Sequence, residues 1–135
     1  MDHLTKSKRS ENMSRIKNKN TTPEIAVRKT LHSMGYRYRL HSASVYGKPD
    51  IVIKTKRKAV FVHGCFWHRH KNCSLATTPK TNTSYWEKKF QTNIARDKKV
   101  QERLDKENWK FLIIWECEIK DKTELKKKLS KFMKL

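Results

Sequence analysis

The sequence predicts an α/β protein in which helices flank a mixed central β-sheet. Three observations carry this prediction: a helix start at 22–24, two apolar runs at 51–53 and 59–62 around a charged turn, and an apolar run at 111–115 between two amphipathic stretches. At 135 residues the chain has the length of one domain. We expect a basic arm over residues 1–20 and a single folded domain over residues 21–135.

The first helix and the strand after it are marked by their end signals and their periodicity. Thr22-Pro23-Glu24 supplies an N-cap hydroxyl, a proline at the first helical position and an acid in the first turn. Gly35 is typical of a helix end, and the apolar stripe before it is Val27, Leu31 and Met34. Tyr36, Tyr38 and Leu40 then alternate with basic residues, which predicts a half-buried strand with a basic outer face.

A β-hairpin is predicted over the next apolar runs. Ile51–Ile53 follows Lys48-Pro49-Asp50, a charged turn covers residues 54–58, and Ala59–Val62 returns as the second strand. In an antiparallel pair the start of one strand lies beside the end of the other. We therefore expect Asp50 to lie next to Val62 and His63.

Two helices and one strand complete the predicted fold. Ser84-Tyr-Trp-Glu87 fits a capping box, and a helical stripe runs from it to about residue 107 through Trp86, Phe90, Ile94, Val100 and Leu104. The continuous apolar run Phe111–Trp115 predicts a central strand that is covered on both faces. From about Asp121, apolar residues recur among lysines and predict an amphipathic closing helix through Leu125, Leu129, Phe132 and Met133.

The charge of the chain points to nucleic acid. Lysine and arginine number 33 against 13 acids, a formal net charge of +20, which favours binding to phosphates through counterion release. No apolar run approaches the ~18 residues that span a bilayer, and no signal-peptide pattern opens the chain, so we expect no membrane partner. The arm over residues 1–20 is predicted either as a solvated tail or as a segment that orders on DNA and places Met13 against bases.

A second pattern is typical of a metal site. Cys65, His70 and Cys73 lie within nine residues, and Cys117 follows the 111–115 run. Four soft nitrogen and sulfur donors, three of them cysteine, match a closed tetrahedral structural zinc site. The alternative is that the three cysteines are unligated thiols. Because four protein ligands leave no open position on the metal, we expect the hydrolytic chemistry to lie elsewhere.

Candidate catalytic residues lie at the predicted hairpin end. The Pro-Asp start at Asp50 resembles the way nucleases of the restriction-endonuclease superfamily hold Mg²⁺, although an ordinary turn aspartate shows the same local pattern. The acid-x-lysine half of that motif is replaced here by Val62-His63-Gly64. His63 and His68 lie outside the zinc quartet, so one of them is a candidate general base, and the alternative is a surface histidine. Glu24 is explained by the helix start unless it lies near the site.

Three stretches closely resemble the very short patch repair (Vsr) DNA mismatch endonucleases: Gly47-Lys-Pro-Asp50, Phe61-Val-His-Gly-Cys-Phe-Trp-His68 and Leu112-Ile-Ile-Trp-Glu-Cys117. The resemblance covers nearly the whole chain. It implies a restriction-endonuclease-like fold with a structural zinc. It also implies Mg²⁺-dependent nicking of one DNA strand on the 5′ side of the mispaired thymine in a T·G mismatch, which initiates very short patch repair.

The resemblance also implies catalytic roles for individual residues. Asp50 and the main-chain carbonyl of Val62 would bind Mg²⁺. His68 would activate or orient the attacking water. Glu24 would help to bind metal-coordinated waters, and His63 would support the scissile phosphate.

Further roles concern the DNA and the zinc. Phe66 and Trp67 would enter the duplex beside the mismatch, with Met13 of the arm entering from the other groove; the alternative for the aromatic pair is burial in the core. Lys89 and Asn93, one helical turn apart, would meet the mismatched pair. The zinc ligands implied by the resemblance are Cys65, His70, Cys73 and Cys117.

The sequence is therefore interpreted as a mismatch-directed, strand-specific DNA endonuclease with catalytic Mg²⁺ and structural Zn²⁺. Two alternatives stay open: a restriction-type nuclease that cuts both strands of unmismatched DNA, and a catalytically inactive zinc-stabilised DNA-binding protein. The expected partners are double-stranded DNA that contains a mismatch and, with it, mismatch-repair proteins. We expect a monomer, because nicking one strand needs one active site, and a cytoplasmic, nucleoid-associated location of bacterial type.

Overall fold

The computed structural model of this protein describes residues 21–135, so the predicted basic arm and Met13 lie outside the described residues. The helices and strands follow in this order along the chain: α1 Thr22–Ser33, β1 Arg39–Leu40, β2 Ile51–Ile53, β3 Lys58–His63, α2 Thr83–Lys106, β4 Lys110–Trp115 and α3 Lys122–Met133. Short 3₁₀ turns at Lys54–Lys56 and Glu116–Lys120 precede β3 and α3. Within this described part, no helix has the length and apolar character needed to cross a membrane.

The four strands form one mixed sheet in the order β1-β2-β3-β4. The predicted hairpin is confirmed, because β2 runs antiparallel to β3 with Ile51 opposite Val60. Strand β4 runs parallel to β3, with His63 opposite Trp115, and α2 provides the crossover between them. The predicted fold class, a mixed sheet flanked by helices, is therefore confirmed.

Both faces of the sheet are covered, each by different helices. On one face α1 and α3 pack over alternate strand residues, a cluster that includes Val27, Ile51, Val60, Ile114 and Leu129. On the other face Leu104 of α2 packs over the intervening strand residues, including Val52, Ala59 and Phe61. The alternation of strand side chains between the two clusters follows from the two-residue period of a β-strand.

The structure corrects two predictions about strands. Strand β4 was expected at the centre of the sheet, but it lies at the edge, because a continuous apolar run reports coverage of both faces and not the number of neighbouring strands. The expected strand over 36–40 pairs only at Arg39 and Leu40, since β2 is three residues long. Leu40 was expected inside and is instead 39% exposed.

Two predicted helix starts are also displaced. The N-cap of α1 is Thr21 and not Thr22: the Thr21 hydroxyl accepts a hydrogen bond from the Glu24 amide at 3.3 Å. Helix α2 begins at Thr83 after Asn82, whose left-handed backbone replaces the expected capping box at Ser84. No side-chain cap forms at that start, and Ile94 of the predicted stripe is 42% exposed.

A buried lysine anchors α3 to the sheet. Lys58, at the first position of β3, is 3% exposed, and its Nζ donates to the carbonyl oxygens of Phe132, Met133 and Leu135 at 2.8–2.9 Å. These bonds satisfy carbonyls at the end of α3 that the helix itself leaves without partners. They also fix the direction of α3, whose C-terminal end lies at the start of β3.

Candidate active site and metal centres

Asp50 lies beside the end of β3, as the hairpin predicted. Its Oδ2 accepts a hydrogen bond from the Val62 amide at 2.7 Å, across the antiparallel pair. Burial raises the pKa of Asp50 to about 6, and the neighbouring Glu24 carboxyl adds to the rise while the Val62 hydrogen bond opposes it. A cation bound beside Asp50 would stabilise the charged form of this carboxylate.

Glu24 lies next to Asp50 and is held by two cationic or polar side chains. It is 1% exposed, is bonded by the Arg28 guanidinium, and lies with Oε1 at 2.7 Å from His41 Nε2. The His41 amide donates to the Asp50 carbonyl oxygen at 3.1 Å, and His41 has a left-handed backbone with φ 47°. Donor atoms of Glu24, His41 and Asp50 lie within 4.8 Å of one another.

His41 was missed by sequence reasoning, although a signal was present. The residue directly follows the strand whose Leu40 pairs with Ile51, so His41 stands opposite Asp50. A histidine opposite a candidate metal ligand in a predicted sheet is a candidate for the same site. Glu24 lies close to Asp50, so it is a candidate member of the site as well as a residue of the helix start.

His63 and His68 stack on one another beside this group. Their ring centroids are 3.8 Å apart with an interplanar angle of 7°, and His68 Nδ1 lies 2.6 Å from Asp97 Oδ2. Burial, together with a smaller effect of the adjacent His68, lowers the pKa of His63 to about 4. His63 is therefore neutral near pH 7. Among residues 21–135, buried His63 Nδ1 has no hydrogen-bond partner.

Asp97 was not assigned a role by sequence reasoning. It follows Lys89 and Asn93 at intervals of four residues along α2, so the three lie on one face of the helix. That spacing was the available signal. In the structure this face of α2 brings the Asp97 carboxylate to His68.

Two adjoining cavities join these residues. A cavity of about 460 Å³ is lined by Glu24, Asp50, Val62 and His68, together with both aromatic residues of the 65–73 loop. A second, of about 430 Å³, shares Asp50, Val62 and His68 and is also lined by His63 and Asp97. The five predicted catalytic or Mg²⁺-binding residues therefore line one continuous region at the end of β3.

The aromatic pair belongs to a cluster with α2. Phe66 and Trp67 are both half-buried, and each ring centroid lies 5.8 Å from that of Trp86. The Arg69 guanidinium lies 4.1 Å from the Phe90 ring centroid and donates to the Thr77 carbonyl at 2.9 Å, which fastens the loop that carries the pair. The rings are thus neither part of the sheet core nor fully exposed, and both line the first cavity.

Lys89 and Asn93 lie beside the same loop. Lys89 Nζ is 5.8 Å from the Trp67 ring centroid, and Asn93 Nδ2 donates to the Trp67 carbonyl at 3.2 Å. The two predicted mismatch-contacting residues are therefore adjacent to the predicted wedge. Lys89 is exposed and Asn93 is half-buried, so neither lies in the core.

The four predicted zinc ligands also converge. Donor atoms of Cys65, His70, Cys73 and Cys117 lie within 4.8 Å of one another. His70 Nδ1 is 3.6 Å from Cys65 Sγ and 3.5 Å from Cys117 Sγ. Zinc at ~2.3 Å from sulfur and ~2.0 Å from nitrogen, in tetrahedral geometry, requires about 3.5 Å between such donors. The donor set and its spacing fit zinc.

Comparisons with known proteins agree with this geometry. Residues 1–75 match the family described as DNA mismatch endonuclease Vsr. The chain is 43% identical over 128 residues to the type II nicking enzyme V.XorIIP of Xanthomonas oryzae pv. oryzae, covering 95% of this chain and 93% of that protein. It is 38% identical over 120 residues to the DNA mismatch endonuclease Vsr of Escherichia coli, covering 89% of this chain and 76% of that protein.

A solved structure is similar in fold. The catalytic domain of the homing endonuclease I-Bth0305I superposes with a TM-score of 0.59 at 24% identity, covering 84% of this chain and 94% of that one. At this identity the likeness concerns the fold alone. It agrees with a restriction-endonuclease-like arrangement of sheet and helices.

Proposed function

The chain belongs to the family of the DNA mismatch endonuclease Vsr and is a DNA endonuclease, and we propose that it nicks one strand on the 5′ side of the mispaired thymine in a T·G mismatch, using Mg²⁺. One observation carries the proposal. The Asp50 carboxylate, the end of β3 at Val62 and the His68 imidazole line the same cavities, and the half-buried aromatic pair lines one of them.

In the proposed mechanism, Asp50 and the Val62 carbonyl hold the divalent cation, since hard carboxylate and carbonyl oxygens are the ligands that Mg²⁺ prefers. A cation bound there would stabilise charge on the phosphate and supply a water of lowered pKa. Glu24, held close to Asp50, orients water at the same place.

His68 acts as the proton acceptor in this proposal. His68 Nδ1–H would donate a hydrogen bond to Asp97 Oδ2 at 2.6 Å, which leaves Nε2 as the acceptor for a proton from water. His63, neutral and stacked on His68, would support the scissile phosphate in this proposal, and it adds no positive charge that would oppose proton uptake by His68.

Mismatch selectivity in this proposal comes from the wedge and from α2. Separating stacked base pairs costs a few kcal/mol per step, and a wobble pair lowers that cost. Phe66 and Trp67 would enter the stack, Met13 would enter from the other groove, and Lys89 and Asn93 would contact the mismatched bases. The Arg69 contacts that fasten the loop lower the entropy lost when the rings are inserted.

A structural zinc bound by Cys65, His70, Cys73 and Cys117 completes the proposal. These ligands join the irregular 65–73 loop to the turn after β4. The zinc would therefore hold the wedge and the histidines of the site in place. Catalysis would not use it, because four protein ligands fill its coordination.

The decisive experiment uses T·G-mismatched and matched duplexes with each strand labelled separately. Incubation with Mg²⁺ and resolution on a denaturing gel should give a single nick, only in the thymine strand and only in the mismatched duplex. Cuts in both strands of matched DNA would favour a restriction-type nuclease. Binding without cleavage in either duplex would favour an inactive DNA-binding protein.

A further inference from the structure

Helix α3 presents a row of lysines that the proposed active site does not use. We call Lys122, Lys126, Lys131 and Lys134 the lysine ridge. All four are exposed, and with Thr123 and Ser130 they line a shallow groove along the helix. Two neighbouring lysines differ: Lys127 lies 3.5 Å from Glu124, and Lys128 lies 2.6 Å from Glu118. Within residues 21–135, no carboxylate forms an ion pair with a ridge lysine.

The packing of α3 gives no reason for this concentration of charge, and the helix dipole favours only the two lysines at its C-terminal end, Lys131 and Lys134. Helix α3 docks through its apolar face, which buries Leu125, Leu129, Phe132 and Met133. Like charges one helical turn apart, such as Lys122 and Lys126, destabilise a helix. An anion bound along the ridge would remove that repulsion. A polyanionic partner would account for the charge that packing leaves unexplained.

The ridge lies outside the cavities of the candidate active site. Helix α3 packs with α1 on one face of the sheet, whereas α2, which carries Lys89 and Asn93, covers the other face. The C-terminal end of α3 is fixed at Lys58, at the start of β3, and Asp50 lies beside the opposite end of that strand. The ridge thus extends away from the site along the α1–α3 layer.

We propose that the lysine ridge binds the phosphate backbone of duplex DNA outside the mismatch site, without reading bases. Lys122 to Lys134 spans roughly 18 Å at ~1.5 Å per residue, and the same length of duplex carries about ten phosphates. Lysine ammonium groups contact phosphates as point charges, with no geometry that selects a sequence. Such a contact holds the enzyme on matched DNA while a mismatch is found.

The test compares two variants with equal loss of charge. The ridge variant carries Lys→Gln at 122, 126, 131 and 134. The control variant carries Lys→Gln at 54, 56, 106 and 110, four exposed lysines at the end of the sheet away from Asp50. Affinity for a matched duplex of about 30 base pairs, long enough to exceed the domain, is measured by anisotropy across a salt series.

The ridge variant should bind matched duplex at least tenfold more weakly at low salt. Its plot of log K against log salt should be less steep by about 2–4, since each lost phosphate contact removes ~0.9. The control variant should retain affinity and slope, and a Lys→Arg ridge variant should retain both. Equal losses in ridge and control variants would overturn the proposal, because overall charge would then explain them.

A second measurement separates this proposal from the proposed function. The ridge variant should nick a short T·G duplex at saturating enzyme as fast as the wild type, since none of its substitutions touches the cavities. The binding assay requires no cleavage, so it stands even if T·G nicking fails. Unchanged affinity for matched duplex, or a loss seen only with phosphatidylserine vesicles or single-stranded RNA, would overturn the assignment to duplex DNA.

Discussion

Two of the three side-chain groups among residues 21–135 that could hold a metal ion are built in opposite ways. The group of Cys65, His70, Cys73 and Cys117 combines three sulfurs and one nitrogen, the number of donors that a tetrahedral zinc site needs. The Asp50 centre combines two carboxylates and an imidazole from three separate segments, and it lines a cavity of about 460 Å³. The first arrangement excludes substrate from the metal, whereas the second leaves room for a phosphate and water.

The comparison separates the group that is proposed to stabilise the fold from the group that is proposed to carry the chemistry. In the proposal, zinc held by the soft donors would fix the loop that carries Phe66, Trp67 and His68. Hard donors, held by hydrogen bonds from Arg28 and the Val62 amide, are kept accessible for reaction. Removing a ligand from the first centre should therefore affect folding, and removing one from the second should affect only catalysis.

The largest expected effect comes from Cys117→Ser. The variant should lose zinc, measured by metal analysis of purified protein, and its unfolding midpoint should fall by more than about 10 °C, because structural zinc contributes directly to folding free energy. Nicking should fall with it. A zinc-loaded variant of unchanged midpoint would remove Cys117 from the ligand set.

Asp50→Asn should have the next largest effect, and on catalysis alone. The amide can still accept the Val62 hydrogen bond and carries no buried charge, so zinc content should match the wild type and the midpoint should be no lower. Nicking of T·G duplex should fall about 10³-fold, roughly 4 kcal/mol of barrier, because a charged cation ligand is lost. Retained nicking would exclude Asp50 from the mechanism, and a parallel loss of zinc would erase the distinction between the two centres.

The pH should affect Asp50 and His63 differently. Since the raised pKa of Asp50 is about 6, protons compete with the cation below that pH. The Mg²⁺ concentration for half-maximal nicking should therefore be about tenfold higher at pH 5 than at pH 7. His63, with its pKa lowered to about 4, stays neutral across this range.

The same pKa fixes the sign of a stability effect. In cation-free protein the raised pKa of Asp50 contributes stability below pH ~4, and this contribution is lost as the pH rises through about 6. Thermal unfolding in a chelator too weak to remove zinc would show it, and the Asp50→Asn variant would serve as control. An Mg²⁺ requirement that is independent of pH from 5 to 7 would contradict the assignment.

The smallest expected effect concerns His41. His41→Gln retains an N–H donor for Glu24, so its Mg²⁺ requirement should match the wild type. His41→Ala removes that donor, and the half-maximal Mg²⁺ concentration should rise about threefold to tenfold, with the rate at saturating Mg²⁺ retained. Direct titration with Mn²⁺ as a spectroscopic probe gives a readout apart from activity. Equal behaviour of the two variants would show that the Glu24 contact is not used.

Much of the fold followed from local patterns, but the positions of some elements did not. The hairpin was predictable because its strands are separated by one short turn, and antiparallel pairing then fixes Asp50 beside Val62. The edge position of β4 was not predictable, because an apolar run indicates that both faces of a strand are buried and does not indicate how many strands pair with it. The start of α2 depended on the left-handed backbone of Asn82, which replaced a plausible cap at Ser84.

The sequence by itself determined the donor types, the clustered Cys65–Cys73 segment and the charge that suits DNA, because these depend on composition and short spacing. Only the tertiary structure brought His41 to Glu24 and Asp97 to His68, contacts that span 17 and 29 residues. Such contacts depend on how β1 and α2 pack against the hairpin. A helix or strand pattern shows which face is buried, and packing alone decides which polar group of another segment meets the exposed edge of that face.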